Sequence, residues 1–206
     1  MNFVTGGTGL LGSHVLLALA QRGEKVRALK RAGSDTAFTR RLFSTVAGGA
    51  DLFSQIEWFL GDVTDAVSMA EALSGVEKVF HCAAVVSFNS NDKKRLELVN
   101  VSGTANLAEA ALQAGVLHFM HVSSIATLGG TISGEPVSEG EPWDSVPKGS
   151  VYGHTKHAAE MEVWRAMAEG LPAAIVNPSV IIGPGKWNSG SSELFSAVWK
   201  GLKYYT

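Results

Sequence analysis

The sequence predicts an α/β fold: a doubly wound parallel sheet with helices on both faces. Strand-like and helix-like stretches alternate along the 206 residues, the order that builds a parallel sheet through crossover connections. The strand-like stretches are apolar runs rather than alternating patterns, as expected of strands covered on both sides. With 46% hydrophobic residues, a chain of this length can bury one sizeable core.

The elements follow in order. Phe3 to Thr5 is a short strand that runs into Gly6-Gly7-Thr8-Gly9. Leu10 to Arg22 reads as a helix, because Leu11, Val15, Leu16 and Leu19 recur at helical spacing, and Gly23 stops it. Lys25 to Lys30 is the second strand. Ala37 to Val46 is helical and Gly48-Gly49 breaks it. Ile56 to Leu60 and Val79 to Ala84 are the third and fourth strands, with a helix over Val67 to Leu73 between them. Lys93 to Ala114 reads as one long helix before a fifth strand, Phe119 to Ser123. A polar loop of 21 residues, 129–149, follows; loops of that length inside a compact domain are usually functional or mobile. Tyr152 to Ala168 is a helix, Ala173 to Val176 the sixth strand, and Ser192 to Leu202 begins another helix. Internal repeats, coiled coil and low-complexity tracts are absent.

Composition narrows the function. Charged residues make up 17% and the formal net charge is -2, which argues against nucleic-acid binding through clustered cations. No stretch approaches a membrane span. The strand at Asn2 to Thr5 leaves no room for a signal peptide. One cysteine, Cys82, permits no internal disulfide. A cytoplasmic protein with a small-molecule substrate, and no nucleic-acid or membrane partner, is expected.

Gly6-Gly7-Thr8-Gly9-Leu10-Leu11-Gly12 lies between a strand and a helix. A sharp turn and a close approach of a diphosphate both require residues without a Cβ. The helix N-terminus then offers free N–H groups and partial positive charge to the phosphates. This context turns a common glycine pattern into a dinucleotide fingerprint, that of the Rossmann fold. The second strand bears on cofactor choice. An NAD site carries an acid near the end of that strand for the ribose 2′-OH, whereas this chain has Lys30-Arg31, which suit a 2′-phosphate. NADP is expected, with Asp35 keeping NAD open.

Tyr152 and Lys156 stand at i and i+4 and share one helix face. An ammonium beside a phenol favours the phenolate, so Lys156 is expected to lower the pKa of Tyr152 and fit it for acid–base work. Other candidates are weaker. His154 and His157 lack the carboxylate spacing of a zinc site, and no metal is expected. His118 and His121 flank a strand and read as structural. Cys82, in an apolar strand, reads as a packed thiol. The Gly-x-Ser-x-Gly elbow of α/β-hydrolases is missing. Asp62 and Asp65 fit adenine contact or helix capping better than a catalytic carboxylate pair.

Seven segments occur together in a familiar order: Thr5 to Gly12, Gly61 to Asp65, His81 to Ala84, Asn100 to Thr104, Val122 to Ser124, Tyr152 to Lys156, and Asn177 to Ser179. On these the chain resembles the extended short-chain dehydrogenase/reductase family, which includes nucleotide-sugar epimerases, dehydratases and dihydroflavonol-reductase-like enzymes. The resemblance implies an NAD(P)-dependent oxidoreductase with a Ser124–Tyr152–Lys156 set supported by Asn100. In that reading Gly6, Thr8, Gly9, Leu10, Leu11 and Gly12 form the phosphate loop. Asp62 and Val63 contact the adenine, and Ala83 and Ala84 line the cofactor channel. Tyr152 transfers the proton while Ser124, rather than Ser123, binds the substrate oxygen. Lys156 holds the nicotinamide ribose, and Pro178 and Val180 touch the nicotinamide.

Thr127-Leu128-Gly129 stands where many sugar-nucleotide members have Tyr-Gly. Together with the missing acid, this leans toward the dihydroflavonol-reductase-like branch. An epimerase or dehydratase retaining NAD, and a non-catalytic NADP-binding protein, stay as alternatives. The resemblance further implies a homodimer through helices 93–114 and 152–168. The Rossmann domain is expected over 1–176, with 177–206 as the incomplete start of a substrate-binding region. Val85 to Asn91 and the 129–149 loop would border the substrate.

Overall fold

A computed structural model describes residues 1–87, 89–128, 137–140, 143, 150–185 and 192–201. Most of the 129–149 loop, residue 88, residues 186–191 and residues 202–206, with the end of the helix expected to Leu202, lie outside the described residues.

Six parallel strands form one sheet: β1 (Asn2–Thr5), β2 (Val26–Lys30), β3 (Glu57–Leu60), β4 (Lys78–His81), β5 (His118–Val122) and β6 (Ala173–Val176). Their order is β3-β2-β1-β4-β5-β6, that of a doubly wound Rossmann sheet. The order reverses between β1 and β4, where the carboxyl ends of the strands open a crevice. Consecutive residues of β1 serve opposite faces. Phe3 packs with Met69, Leu107, Phe119 and Val163 on one side, and Val4 with Leu16, Ala28 and Phe43 on the other. Both are fully buried, which is why this strand must be apolar throughout. The edge strands β3 and β6 are half exposed.

On one face lie α1 (Leu10–Gln21), α2 (Ala37–Phe43) and α3 (Gly49–Ser54). On the other lie α4 (Ala66–Ala72), α6 (Gly103–Gln113) and α7 (Val151–Ala168). The short α5 (Lys93–Leu96) leads into α6, and α8 (Ser192–Trp199) follows β6. Among the described residues no helix is long and apolar enough to cross a membrane.

Three expectations need correction. Gly48 is left-handed, with φ at 67°, and starts α3 as well as interrupting the previous helix. The fourth strand stops at His81 instead of Ala84, because the chain beyond it bends under Gly6. The helix expected from Lys93 to Ala114 contains a π turn, Glu97–Ser102, between α5 and α6; such turns are rare and frequently mark functional sites. Asn100 lies in it, fully buried.

Candidate dinucleotide and active site

The loop after β1 is closed by its own backbone. Gly9 N–H donates to Gly6 O at 2.9 Å. Gly6 has φ of 70°, and a Cβ there would lie 2.8 Å from the backbone of Cys82 and Ala83. A Cβ on Gly12 would stand 2.3 Å from Gly6 O. Neither position has room for a side chain, so the start of α1 lies hard against the turn. Gly9, the N-cap of α1, makes no side-chain cap bond, which leaves the first-turn N–H groups available to an anion. Thr39 on α2 steadies the loop by donating to Gly7 O at 3.0 Å.

A cavity of about 470 Å³ opens beside this loop. Of the cofactor residues expected from sequence, it is lined by Gly6, Thr8, Gly9, Leu10, Lys30, Arg31, Asp62, Val63, Ala83 and Ala84. Leu11, Gly12, Tyr152, Lys156, Pro178 and Val180 do not line it. Gly12 contributes through its close packing, and Pro178 O accepts from Ile125 N–H at 3.1 Å, tying the segment after β6 to the turn after Ser124. The sequence reading missed Ser34, Phe38 and Arg95, which also line the cavity. An adjoining depression is bordered by Thr8, Arg31, Gly33, Ser34, Asp35 and Asp62. Asp35 Oδ1 there accepts from Ala37 N–H at 2.7 Å and so fixes the start of α2. Asp62 Oδ1 accepts from Thr64 N–H and Oγ1 at 3.0 and 2.9 Å, while Asp65 caps α4 by accepting from Val67 N–H. Val63 is held by α6: Asn106 Nδ2 donates to its carbonyl at 3.0 Å, and Gly103 leaves room for its side chain. A glycine cradle, an uncapped helix start and a basic strand end fit a dinucleotide.

Ser124, just beyond β5, accepts from Ala126 N–H at 3.1 Å and caps a 3₁₀ turn, Ile125–Thr127. Ser150 caps α7 by accepting from Gly153 N–H at 3.0 Å. A Cβ on Gly153 would lie 2.7 Å from Ala126 O, so a bare glycine lets α7 rest on the turn that carries Ser124. The two elements thereby meet: the Ser124 and Tyr152 side chains are hydrogen-bonded. Ser123, by contrast, is buried with its hydroxyl lacking a partner among the described residues.

The expected lowering of Tyr152 is not found. Burial raises the pKa of its phenol above the ordinary value of 10.0, and the Ser124 hydrogen bond opposes the rise only in part. Lys156 is 1% exposed, and its ammonium donates to Val122 O at 2.9 Å and to His121 Nε2 at 3.4 Å. Its own pKa is lowered to about 8 by burial, against the raising effect of Glu160 and Cys82. Desolvation thus outweighs the helix-face pairing that sequence spacing suggests.

Asn100 joins cavity and helix. Its Oδ1 accepts from Val85 N–H at 2.8 Å, and its Nδ2 donates to Val85 O at 3.0 Å and Thr155 Oγ1 at 3.2 Å. Thr155 Oγ1 in turn donates to Tyr152 O at 2.9 Å. Val85 lines the cavity, so one buried amide links the cavity wall to the helix that carries Tyr152 and Lys156.

Residues 2–203 match the NAD dependent epimerase/dehydratase family. The chain belongs to that family. It is 39% identical to sterol demethylase protein B of Methylococcus capsulatus, over 88% of this chain and 51% of that protein. It is 33% identical to a putative dihydroflavonol 4-reductase of Synechocystis, over 88% of this chain and 49% of that protein. Among solved structures, the UDP-glucose 4-epimerase of Thermus thermophilus in complex with NAD superposes with a TM-score of 0.76 at 26% identity, covering 98% of this chain and 64% of that one. The chain spans about half the length of the curated relatives it matches.

Within this epimerase/dehydratase framework, several polar residues escaped the sequence reading. Glu160, one turn beyond Lys156, is buried, and its Oε1 accepts from Thr127 Oγ1 at 2.8 Å and Asn177 Nδ2 at 2.7 Å. Asn177 also donates to Ser124 O at 3.3 Å, so this network braces the Ser124 turn. A Glu four residues after the Lys is the only local signal for it. His81, fully buried, bridges Thr5 Oγ1 at 2.7 Å and Thr104 Oγ1 at 2.9 Å. Burial pushes the Cys82 thiol up to about 12, in keeping with an inert packed cysteine. His157 stacks on Trp143 at 4.1 Å between ring centroids, and His154 meets the same indole edge-on. Among the described residues no group of three or more His, Cys, Asp or Glu could hold a metal.

Proposed function

We propose that this chain carries the cofactor half of an NADP(H)-dependent oxidoreductase that interconverts a carbonyl and an alcohol on a small-molecule substrate. Residues 1–176 serve as the dinucleotide domain and 177–206 begin the substrate-binding region. The observation that carries the reading is the Ser124–Tyr152 hydrogen bond, made by a phenol that keeps its proton. A protonated phenol is a general acid, so the reductive direction fits best. When bound, the cofactor supplies the hydride. Ser124 orients the substrate oxygen and Tyr152 delivers its proton to that oxygen. Lys156 has three N–H donors, of which two are engaged, leaving one for a ribose hydroxyl. Asn100 keeps the cavity wall in register with α7.

The 2′-phosphate pairs with Arg31 and Lys30. Ser34 borders the same depression, and Asp35 is already engaged at the start of α2. NADPH therefore binds more tightly than NADH in titration calorimetry, by a factor of about 10–100, the worth of a single charged hydrogen bond at roughly 1.5–3 kcal/mol. Equal dissociation constants would discard the NADP assignment. An epimerase or dehydratase using tightly held NAD is the second reading, favoured by the fold shared with the Thermus enzyme; copurified NAD would decide for it. NADPH bound without turnover across a broad carbonyl panel would decide for a non-catalytic protein.

The substrate would lie between 85–91 and the 129–149 loop. A second copy of the chain would cover the exposed Leu98, Met161 and Trp164, and sedimentation at high concentration checks this association.

A further inference from the structure

His121 lies on β5 in register with His81 on β4, and the two rings are 5.2 Å apart. His81 has a determined tautomer. Thr104 Oγ1 donates its one hydrogen to Asn100 O at 2.6 Å, so toward His81 Nε2 it can only accept. Nε2 therefore carries the proton, and the bare Nδ1 accepts from Thr5 Oγ1, which itself accepts from Ala83 N–H at 3.1 Å. Both nitrogens of His81 are satisfied and its ring is neutral.

His121 differs. It is fully buried, and its Nδ1 has no partner among the described residues. Its Nε2 faces the Lys156 ammonium at 3.4 Å. An ammonium only donates, so this nitrogen must be bare and the proton must reside on Nδ1, where none of the described residues receives it. The reverse tautomer would set an N–H against the ammonium and leave Nδ1 equally unpartnered. An imidazolium would place two cations in contact. A buried donor left without a partner is costly, and such a group in a folded protein calls for an explanation.

We propose that His121 is a positioning residue: a neutral imidazole whose bare Nε2 accepts from the Lys156 ammonium and, with Val122 O, holds it at the end of β5. Among the described residues, the titratable groups whose charge acts on this pair are His81 and Cys82 at the end of β4 and Glu160 on α7. Glu160 is the only anion among them, and its Oε1 is already shared by Thr127 and Asn177. Burial holds both histidines below the usual imidazole range, and the charge on Lys156 adds to this. His121 thus supplies Lys156 with an acceptor that adds no negative charge to a site meant for an anionic cofactor. The proposal rests on the dinucleotide reading for its consequence, though not for its geometry.

Three measurements on the 206-residue chain test it. Nitrogen chemical shifts of the histidine rings should show His121 protonated on Nδ1 and bare on Nε2 at pH 7. A protonated Nε2 there overturns the proposal, and no variant is needed. The Lys156 side chain, followed by carbon or nitrogen NMR, should titrate near the expected value of about 8. In His121→Phe, which keeps a ring but removes the acceptor, that midpoint should fall by about one unit, a tenfold change in proton affinity. In His121→Gln, whose amide oxygen reaches the place of Nε2, it should return toward wild type. An unchanged midpoint in a folded His121→Phe overturns the proposal. NADPH affinity, read by fluorescence, should weaken above the Lys156 midpoint of each variant; a merely structural role would weaken it equally at every pH and overturn the positioning role. Should wild type fail to bind NADPH at any pH, the cofactor reading falls, while the tautomer and the Lys156 titration still decide for or against His121.

Discussion

In the proposed reaction, Tyr152 and Lys156 divide the work at the level of single side chains. Tyr152→Phe removes the only proposed proton carrier while the ring still fills its place. Turnover should fall by about 10²–10⁴-fold with NADPH affinity nearly unchanged. Lys156→Ala should lower rate and affinity together, because it removes both the proposed ribose donor and the cation it carries. A Tyr152→Phe protein with half the wild-type rate on the same carbonyl substrate would end the catalytic assignment. These two residues and the glycines are legible in the sequence because each belongs to a local pattern. The partners of Lys156 are not. His121 lies 35 positions away, and only the parallel sheet brings the end of β5 under α7. The direction of the Tyr152 shift escapes the sequence for a related reason: spacing reports which groups are near, whereas burial decides the sign.

Between elements, the decisive contact is α7 against the 3₁₀ turn. Gly153→Ala drives a methyl group toward Ala126 O, 2.7 Å from the ideal Cβ position. That neighbour is backbone, so α7 must shift and carry Tyr152 away from Ser124. Misplacement of about 1 Å in a reacting group can cost around 10²-fold, so kcat should fall steeply while NADPH, which the proposed reading places on the β1–α1 loop, binds as before. Comparable kcat in Gly153→Ala and wild type would show that the contact tolerates displacement. In the sequence Gly153 looks like filler between Tyr152 and Lys156, because its reason is a contact made across 27 residues, from Ala126 to Gly153. The π turn is equally hidden. A helix periodicity runs through Lys93 to Ala114, and the widened turn coincides with Asn100, whose amide pairs with Val85 15 residues earlier. The end of β4 is overrun because Cys82-Ala83-Ala84 is apolar enough for a strand; it leaves the sheet to pass under Gly6.

At the scale of the molecule, the two apolar layers on either side of the sheet follow from strands such as Phe3-Val4, and the alternation of elements makes that architecture readable. What the alternation does not reveal is the polar seam inside the layer beneath α6 and α7, where His81, His121 and Lys156 are buried together. This seam makes stability depend on pH at both ends. For His81 the folded pKa is lowered to about 3 from 6.5, and His121 is lowered as well. Between those values the unfolded chain holds a proton that the folded chain refuses, so stability falls as pH drops from 6.5 toward 3. The slope is about 1.36 kcal/mol per pH unit for His81, and the lowering of His121 acts in the same direction. Lys156 acts over the alkaline window. Its folded value of about 8 lies below 10.5, so its burial penalty is full below pH 8 and fades as pH rises to 10.5. Urea midpoints measured at pH 7, 6, 5 and 4 should therefore decline more steeply in wild type than in His81→Gln, which has no ring to protonate. His81→Gln starts lower at pH 7, since it disturbs the bridge between Thr5 and Thr104, but the gap should narrow with acid as wild type loses the advantage of its neutral ring. Parallel declines for the two proteins over that range would mean that His81 already carries its proton in the fold, and the tautomer deduced from Thr104 would have to be abandoned.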